Sequence, residues 1–357
     1  MDELSRWKEP ERWRRPGRVA VTGRGPANPD DIAYTAIRGA GAEVVFAALR
    51  DDSGSAPAAV SGADVVISGG LRLSTEEFGL LEGCRLLLRP YMGYDDIDVD
   101  AATASGILVA NVPDAFAIEV ANHASALILA LNRSLFAMDR YVRGGGWAER
   151  RGRADLEIHR PSVLTLGIVG FGGIGRLVAE RMRPFGFRLL AADPFVTAEA
   201  AAENGATLVS LDELLAQSDV VTLHVVLNES TRHLMSTERL AKMKRGAVLV
   251  NTCRGPVVDE VALADALRSG HLAGAGLDVF EHEPIGRDHP LAQLEQVILT
   301  PHAASQSVEG MQQARRRVGE IAISVALGGL PERKVVINKA LYDRLAALPE
   351  LASVPRL

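Results

Sequence analysis

Three glycines with the spacing G-x-G-x-x-G interrupt the run V-L-T-L-G-I-V-G-F-G-G-I-G-R-L-V-A at residues 163–179, and they limit the possible folds more than any other feature of the chain. The residues before them form a continuous apolar run. After them Ile174, Leu177, Val178 and Met182 recur at helical spacing. A buried strand that turns directly into a helix is the opening of a βαβ unit. In such a turn Gly170 permits the tight bend, Gly172 lets the backbone approach a ligand, and Gly175 lets helix and strand pack closely. Phe171, Gly173 and Ile174 fill the positions between them.

A helix that starts this way presents unpaired N–H groups and positive dipole to an anion, and a pyrophosphate is the group that the spacing suits. The next apolar run, F-R-L-L-A-A-D-P, ends in Asp193, 18 residues past Gly175. A carboxylate there accepts bonds from ribose hydroxyls and repels an added 2′-phosphate, so the expected cofactor is NAD rather than NADP. Without a dinucleotide the same residues would be a tight βα turn and a loop-capping aspartate.

Around this motif, short β-rich runs alternate with helical patterns along nearly the whole chain, which predicts α/β architecture with mostly parallel sheets. A first set of strands is expected at 18–22, 43–47, 64–67, 85–88 and 107–110. A second is expected at 163–169, 187–192, 220–225, 247–250, 274–279 and 297–300. Six strands with intervening helices describe a complete doubly wound domain. Residues 120–135 are apolar nearly all round, as in a helix buried in a large core or packed on a second subunit. A charged, Gly-rich connector follows at 143–155, and residues 308–327 read as an amphipathic helix. The segment G-G-L-P-E-R-K-V-V-I-N after it could return to the first set of strands, and residues 1–16 and 342–357 read as extensions.

The bulk numbers exclude several classes. The 357 residues are 47% hydrophobic and 24% charged, ordinary globular composition with length for two domains. A net charge of −6 offers no basic field for nucleic acid, so a small anionic substrate needs individual arginines. Cys84 and Cys253 both sit in apolar runs, which suits a reducing cytoplasm. The amino terminus has no apolar core of the signal-peptide kind, and no apolar run reaches the ~20 residues a membrane helix needs.

In a doubly wound sheet, ligands bind beyond the carboxyl ends of the strands. Three successive strand ends deliver Asn251-Thr252-Cys253-Arg254, then Asp278 with Glu281 and Glu283 close behind, then Thr300-Pro301-His302. Taken singly, Arg254 could pair with a surface acid, His302 could be a satisfied core histidine, and either glutamate could serve solubility. Their convergence on one rim suggests a reaction site. His302 has an ordinary pKa near working pH and suits proton transfer to or from a substrate oxygen. A carboxylate bonded to it, Glu283 or Glu281 on spacing alone, would orient it and favour its charged form. Arg254 can grip a substrate carboxylate with two parallel bonds. His224 and, a little beyond it, Asn228 read as supporting contacts near the cofactor. No His or carboxylate pair shows close metal-ligand spacing on one element, so no metal is expected.

Together, G-F-G-G-I-G, Asp193, V-N-T-C-R-G-P-V-V-D-E, G-L-D-V-F-E-H-E-P and L-T-P-H-A-A resemble the NAD-dependent D-isomer-specific 2-hydroxyacid dehydrogenases, over roughly residues 66–339. The resemblance implies Arg254 as substrate binder, Glu283 rather than Glu281 as the histidine's partner, and His302 as acid/base. It implies that Thr252, Cys253 and Asp278 touch the cofactor, and that Met92 and Gly93 in R-P-Y-M-G-Y-D-D-I-D receive the substrate carboxylate. It further implies a flavodoxin-like substrate domain split as 17–111 and 304–340 around a Rossmann domain at 112–303. The implied assembly is a cytoplasmic homodimer acting on a small 2-hydroxy or 2-keto acid, built on the long helix after Asn111. N-V-P-D-A-F-A-I-E-V-A-N-H and F-G-F-R-L-L-A-A-D-P-F lean toward the branch that includes the C-terminal-binding-protein corepressors.

The chain also departs from the family pattern. Tyr91 stands where a small residue is usual, Phe116 and Asn122 replace the commoner Asn and Glu, Val226 replaces a frequent Pro, and Ser305 stands where the corepressor branch has a tryptophan. These departures alter pocket shape, and Gly69 and Gly70 at a first-domain strand end point to a roomy pocket or to a simple turn. Two other readings use the same scaffold: an NAD-responsive corepressor-type binding protein, and a dehydrogenase of a small anion such as phosphite or formate.

Overall fold

The coordinates are a computed structural model, and the structure describes residues 4–8, 16–23, 28–48, 60–69, 73, 75, 77–81, 83–148 and 157–352. The chain divides into two units, Met1–Phe116 with Ser307–Leu357, and Ala117–Gln306 between them in sequence.

The first unit contains β1 (Arg18–Gly23), β2 (Glu43–Ala48), β3 (Val65–Gly69), β4 (Leu86–Leu88) and β5 (Leu108–Ala110). They form one sheet in the order β2-β1-β3-β4-β5, every pair parallel. The order reverses at β1, as in flavodoxin-like sheets. Strand alternation divides the side chains between two cores. Val19, Val21, Val65, Ile67, Leu86 and Leu88 enter one, and Ala20, Val66, Leu87 and Val109 enter the other. A sheet covered on both faces explains why these strands read as continuous apolar runs.

Both chain ends set aside as extensions contribute to this unit. Trp7 is fully buried and donates from Nε1 to the Gly106 carbonyl at 2.9 Å. After the helix Val308–Ala326, Val336 bridges Ala110 antiparallel, and Asn338 accepts from the Val109 amide and donates to the Ile107 carbonyl, both at 2.9 Å. Tyr342, Leu345 and Leu351 are buried beyond that return.

The second unit contains β6 (Thr165–Val169), β7 (Arg188–Ala192), β8 (Thr207–Leu208), β9 (Val220–Leu223), β10 (Val248–Asn251), β11 (Gly274–Leu277) and β12 (Val297–Leu299). Their order is β12-β11-β10-β9-β6-β7-β8, all parallel, with the reversal between β6 and β9. The sheet has seven strands rather than six, because two-residue β8 is too short to leave a periodic signal. The apolar helix expected at 120–135 is Ala117–Asn132, and Ser134 at φ 50° separates it from a second helix, Leu135–Arg143. The first helix buries Ala121, Ala124, Leu127 and Ile128 in the core of its own unit, whereas the second buries none of its residues. Of the expected connector, residues 149–155 lie outside the described residues. Among the described residues no helix is long and apolar enough to cross a membrane.

Replacing Trp7 by Ala removes a fully buried ring and its bond to Gly106. The expected cost is about 3–5 kcal/mol to the first unit. It should appear as lost hydrogen-exchange protection in β4 and β5, with β6–β9 unchanged; equal protection in both units would refute the N-terminal role.

Candidate active site

The glycine-rich loop follows β6 directly, as its sequence requires. Gly170 has φ +88°, and a Cβ there would lie 2.6 Å from the His224 carbonyl oxygen. A Cβ on Gly175 would lie 2.2 Å from the Gly170 carbonyl oxygen, so the close helix–strand packing needs that glycine. A Cβ on Gly172 or Gly173 would meet no protein atom within 4 Å. The protein's own packing therefore does not require glycine at those two positions, and a backbone left bare for a phosphate group accounts for them. Phe171 is fully buried, Ile174 is half-buried, and Gly172 caps the helix Gly173–Met182.

Asp193, at the end of β7, accepts from the Phe171 and Phe195 amides, each at 2.8 Å. It ties the glycine loop to the neighbouring strand while retaining acceptor capacity, since a carboxylate offers about four lone-pair sites. Two buried polar atoms at nearby strand ends have no hydrogen-bond partner, His224 Nδ1 beyond β9 and Thr252 Oγ1 beyond β10. Burial lowers the His224 imidazole to about 3, so it stays neutral and its Nε2 bonds Thr222 Oγ1 at 3.0 Å. Unsatisfied buried donors and acceptors at a strand-end rim need an explanation, and a ligand such as a dinucleotide supplies one. Asn228 lies in an exposed turn, where its side-chain oxygen accepts from the Ser230 amide at 2.9 Å. The Cys253 thiol donates to Asn251 Oδ1 at 3.1 Å, and burial pushes it up to about 11.

The reactive rim is built by the loops after β10, β11 and β12. A Cβ on Gly255 would sit 1.8 Å from the Phe280 carbonyl carbon, so glycine after Arg254 is what lets the β10 and β11 loops touch. His302 Nδ1 lies 2.8 Å from Glu283 Oε2, and Glu283 Oε1 accepts from the Phe280 amide at 2.9 Å. Glu281 is engaged elsewhere, 3.1 Å from His233 Nε2 and accepting from the Glu260 amide. Geometry thus separates two glutamates that spacing alone left equal. The bond from Glu283 holds the His302 pKa above its ordinary 6.5, against burial and the positive charge of Arg254. Burial would raise Glu283, but its bonds to His302 and the Phe280 amide, with the charge of Arg254, hold it below the ordinary carboxylate value. Arg254 is therefore close enough for its charge to act on both members of the pair. Its backbone is fixed by Asn251 Nδ2, which donates to its carbonyl at 2.9 Å.

Asp278 is fully buried. Its carboxylate accepts from Thr300 Oγ1 at 2.5 Å, the Ala303 amide at 2.8 Å and the Ala304 amide at 2.9 Å. The carboxylate thus ties down the loop that carries His302. His123 joins the same network, with Nε2 3.0 Å from Thr300 Oγ1. Sequence spacing does not reveal His123, because its partner is 177 residues away.

In the first unit, the loop bearing Met92 and Gly93 is braced from below. Asn111 Nδ2 donates to the Met92 carbonyl at 2.5 Å. Arg89 donates from Nη2 to both Asp96 oxygens at 2.6 Å and from Nη1 to the Ser68 carbonyl at 2.8 Å. Gly69 has a packing reason, since a Cβ there would lie 2.7 Å from the Thr22 carbonyl oxygen. Gly70 lies outside the described residues. Among the departures from the family pattern, Phe116 is buried in this unit's core, Tyr91 is half exposed, and in the second unit Asn122 accepts from Arg181 Nε at 2.6 Å.

A doubly wound nucleotide-binding unit inserted into a second parallel-sheet unit, with an imidazole–carboxylate pair beyond its strands, defines a nicotinamide-dependent dehydrogenase. Residues 125–304 match the NAD-binding domain of D-isomer specific 2-hydroxyacid dehydrogenases. The chain is 43% identical to the glyoxylate reductase of Korarchaeum cryptofilum over 263 residues, 74% of this chain and 79% of that protein. It is 41% identical to the D-3-phosphoglycerate dehydrogenase of Mycobacterium leprae over 273 residues, 76% of this chain but only 51% of that protein, so it spans about half of the latter's length. A D-lactate dehydrogenase from Aquifex aeolicus, solved with NAD and lactic acid, superposes with a TM-score of 0.75 at 30% identity, covering 85% of this chain and 93% of that one. The protein belongs to the D-isomer-specific 2-hydroxyacid dehydrogenases, NAD-dependent oxidoreductases acting on CH–OH donors.

Changing Asp193 to Asn removes the charge that repels a 2′-phosphate and keeps a side-chain acceptor for one of the two loop amides. The ratio of NADH to NADPH affinities, measured by fluorescence titration, should fall roughly tenfold, about 1.4 kcal/mol. An unchanged ratio would show that Asp193 serves the loop alone.

Proposed function

We propose that the protein interconverts a D-2-hydroxy acid and its 2-keto acid, with His302 as acid/base, Glu283 orienting it and Arg254 binding the substrate carboxylate. The observation that supports this most directly is the 2.8 Å bond between His302 Nδ1 and Glu283, which leaves Nε2 for substrate. NADH, when bound, supplies a hydride to the carbonyl carbon. His302 Nε2 gives its proton to the carbonyl oxygen during reduction and takes it back during oxidation. Arg254 pairs two N–H donors with the carboxylate and polarises the carbonyl beside it. Gly170–Gly175, Asp193, His224, Asn228, Thr252 and Cys253 are the proposed cofactor contacts. Met92 and Gly93, by resemblance, and Gly69, from its place at a strand end, are proposed substrate contacts.

The pH dependence follows from the raised His302 pKa. Reduction needs the imidazolium, which is present below that pKa, so reductive kcat/KM should hold past pH 6.5 and fall as pH rises through the raised value. Glu283→Gln removes the largest raising influence and should move the fall to lower pH. His302→Ala should cost about 10²–10⁴-fold in kcat with NADH affinity nearly unchanged. Normal turnover by that variant would reassign the acid/base.

We also propose a homodimer, with the helix Leu135–Arg143 as part of its contact. Leu135, Phe136 and Val142 are each about half exposed on this helix, which buries none of its residues, and Trp147 just beyond it is 76% exposed. Exposed apolar clusters of this kind mark association surfaces. In sedimentation, the native chain should run as a dimer and Phe136→Glu as a monomer; a native monomer would refute the proposal.

A further inference from the structure

Two glutamates close to the reactive pair are bonded to each other's backbone. The Glu281 amide donates to Glu260 Oε1 at 2.7 Å, and the Glu260 amide donates to Glu281 Oε1 at 3.3 Å. Each carboxylate is backed by a histidine. His289 Nε2 lies 3.2 Å from Glu260 Oε2, and His233 Nε2 lies 3.1 Å from Glu281 Oε1. His289 Nδ1 accepts from the Leu291 amide at 3.3 Å, so the ring hydrogen sits on Nε2 and is aimed at Glu260. The Glu260 side chain is only 14% exposed, so water screens these bonds little.

The clasp joins two loops of the reactive rim. Glu260 stands where the loop that carries Arg254 ends and the helix Glu260–Arg268 begins. Asp259 already caps that helix, accepting from the Ala262 amide at 3.0 Å, which leaves the Glu260 carboxylate for the neighbouring loop. Glu281 lies on the loop beyond β11, just before Glu283. There the Phe280 amide donates to Glu283 Oε1 at 2.9 Å while the next amide, that of Glu281, donates to Glu260. The Phe280 ring also packs edge to face on His289, with centroids 5.9 Å apart. The stretch of backbone that holds Glu283 on one side is therefore anchored on the other by Glu260 and His289. Glu260 meets two donors, one on each oxygen. A carboxylate satisfies both, whereas a carboxamide of the same shape must turn its NH₂ onto one of them.

We propose that Glu260 is a positioning residue for the acid/base pair: with His289 and Glu281 it fixes the Phe280–Glu281 backbone, and through it the carboxylate that orients His302. This rests on the dehydrogenase reading above and adds the group that sets the geometry of its proton donor. Small displacements at such a pair are costly, because proton transfer needs the imidazole held at hydrogen-bonding distance.

The test follows the titration of His302 in the full chain by NMR of its ring carbon Cε1, which requires no substrate. Glu260→Gln should lower the His302 pKa by about half a pH unit, part of the drop that Glu283→Gln gives. The alkaline fall of reductive kcat/KM, read on the fastest of glyoxylate, pyruvate and phenylpyruvate with NADH, should move with it. In the Glu283→Gln background the same change should have no further effect, since the carboxylate that it positions is gone. His289→Leu, which removes one donor and leaves every carboxylate in place, should act in the same direction if Glu260→Gln folds poorly. A His302 pKa unmoved by Glu260→Gln, or lowered equally with and without Glu283, would overturn the positioning role and leave the dehydrogenase reading standing. A His302 pKa unmoved by Glu283→Gln would overturn both, as would no turnover of any of the three acids.

Discussion

The carboxylate of Asp278 is the interaction on which the reactive rim depends. It is fully buried, and it accepts from three groups of the segment Thr300–Ala304. His302 has φ 52°, a left-handed conformation that a residue with a Cβ adopts only when its surroundings impose it. The Asp278 backbone carbonyl adds a fourth tie, accepting from the His302 amide at 2.8 Å. A histidine held in this way turns its Nδ1 to Glu283 without the entropy loss of ordering a loose loop. The imidazole beyond β12 is therefore positioned by a buried acid just beyond β11.

Two arginines stand at the mouths of apolar strands, and their fates show what a sequence motif can and cannot say. Arg89 follows β4 as Arg254 follows β10. Arg89 is 7% exposed, with Asp96 gripped through both oxygens and the Ser68 carbonyl bonded. It braces a loop. Arg254 lies beside Glu283 and His302, where its positive charge acts on both. What distinguishes them is the company brought by other strands, which is a tertiary fact. Only the joint reading of three strand ends separates the second arginine from the first.

The parts legible in the sequence were those governed by local rules. Continuous apolar runs marked eleven of the twelve strands, because sheets covered on both faces need them. The glycine spacing marked the nucleotide turn, because Gly170 and Gly175 answer steric limits within a few residues of themselves. Long-range partners stayed hidden. Trp7 reads as part of a polar extension in the sequence and is bonded to Gly106 in the fold, and the three bonds from Asp278 to the His302 loop leave no signal in the spacing. A run apolar on all sides does not say which face its own unit covers: the helix Ala117–Asn132 buries much of its surface, and the exposed apolar residues lie on Leu135–Arg143 beyond it.

The same topological rule operates in both sheets. Where strand order reverses, the helices on either side diverge and leave a crevice beyond the carboxyl ends. In the second unit that crevice lies between β6 and β9, and it is fitted with bare glycine backbone and unsatisfied polar atoms, which suits a charged dinucleotide. In the first unit it lies at β1 and β3, where Arg315 Nε is bonded to Asp31 at 3.0 Å and Tyr34 packs edge to face on Phe46.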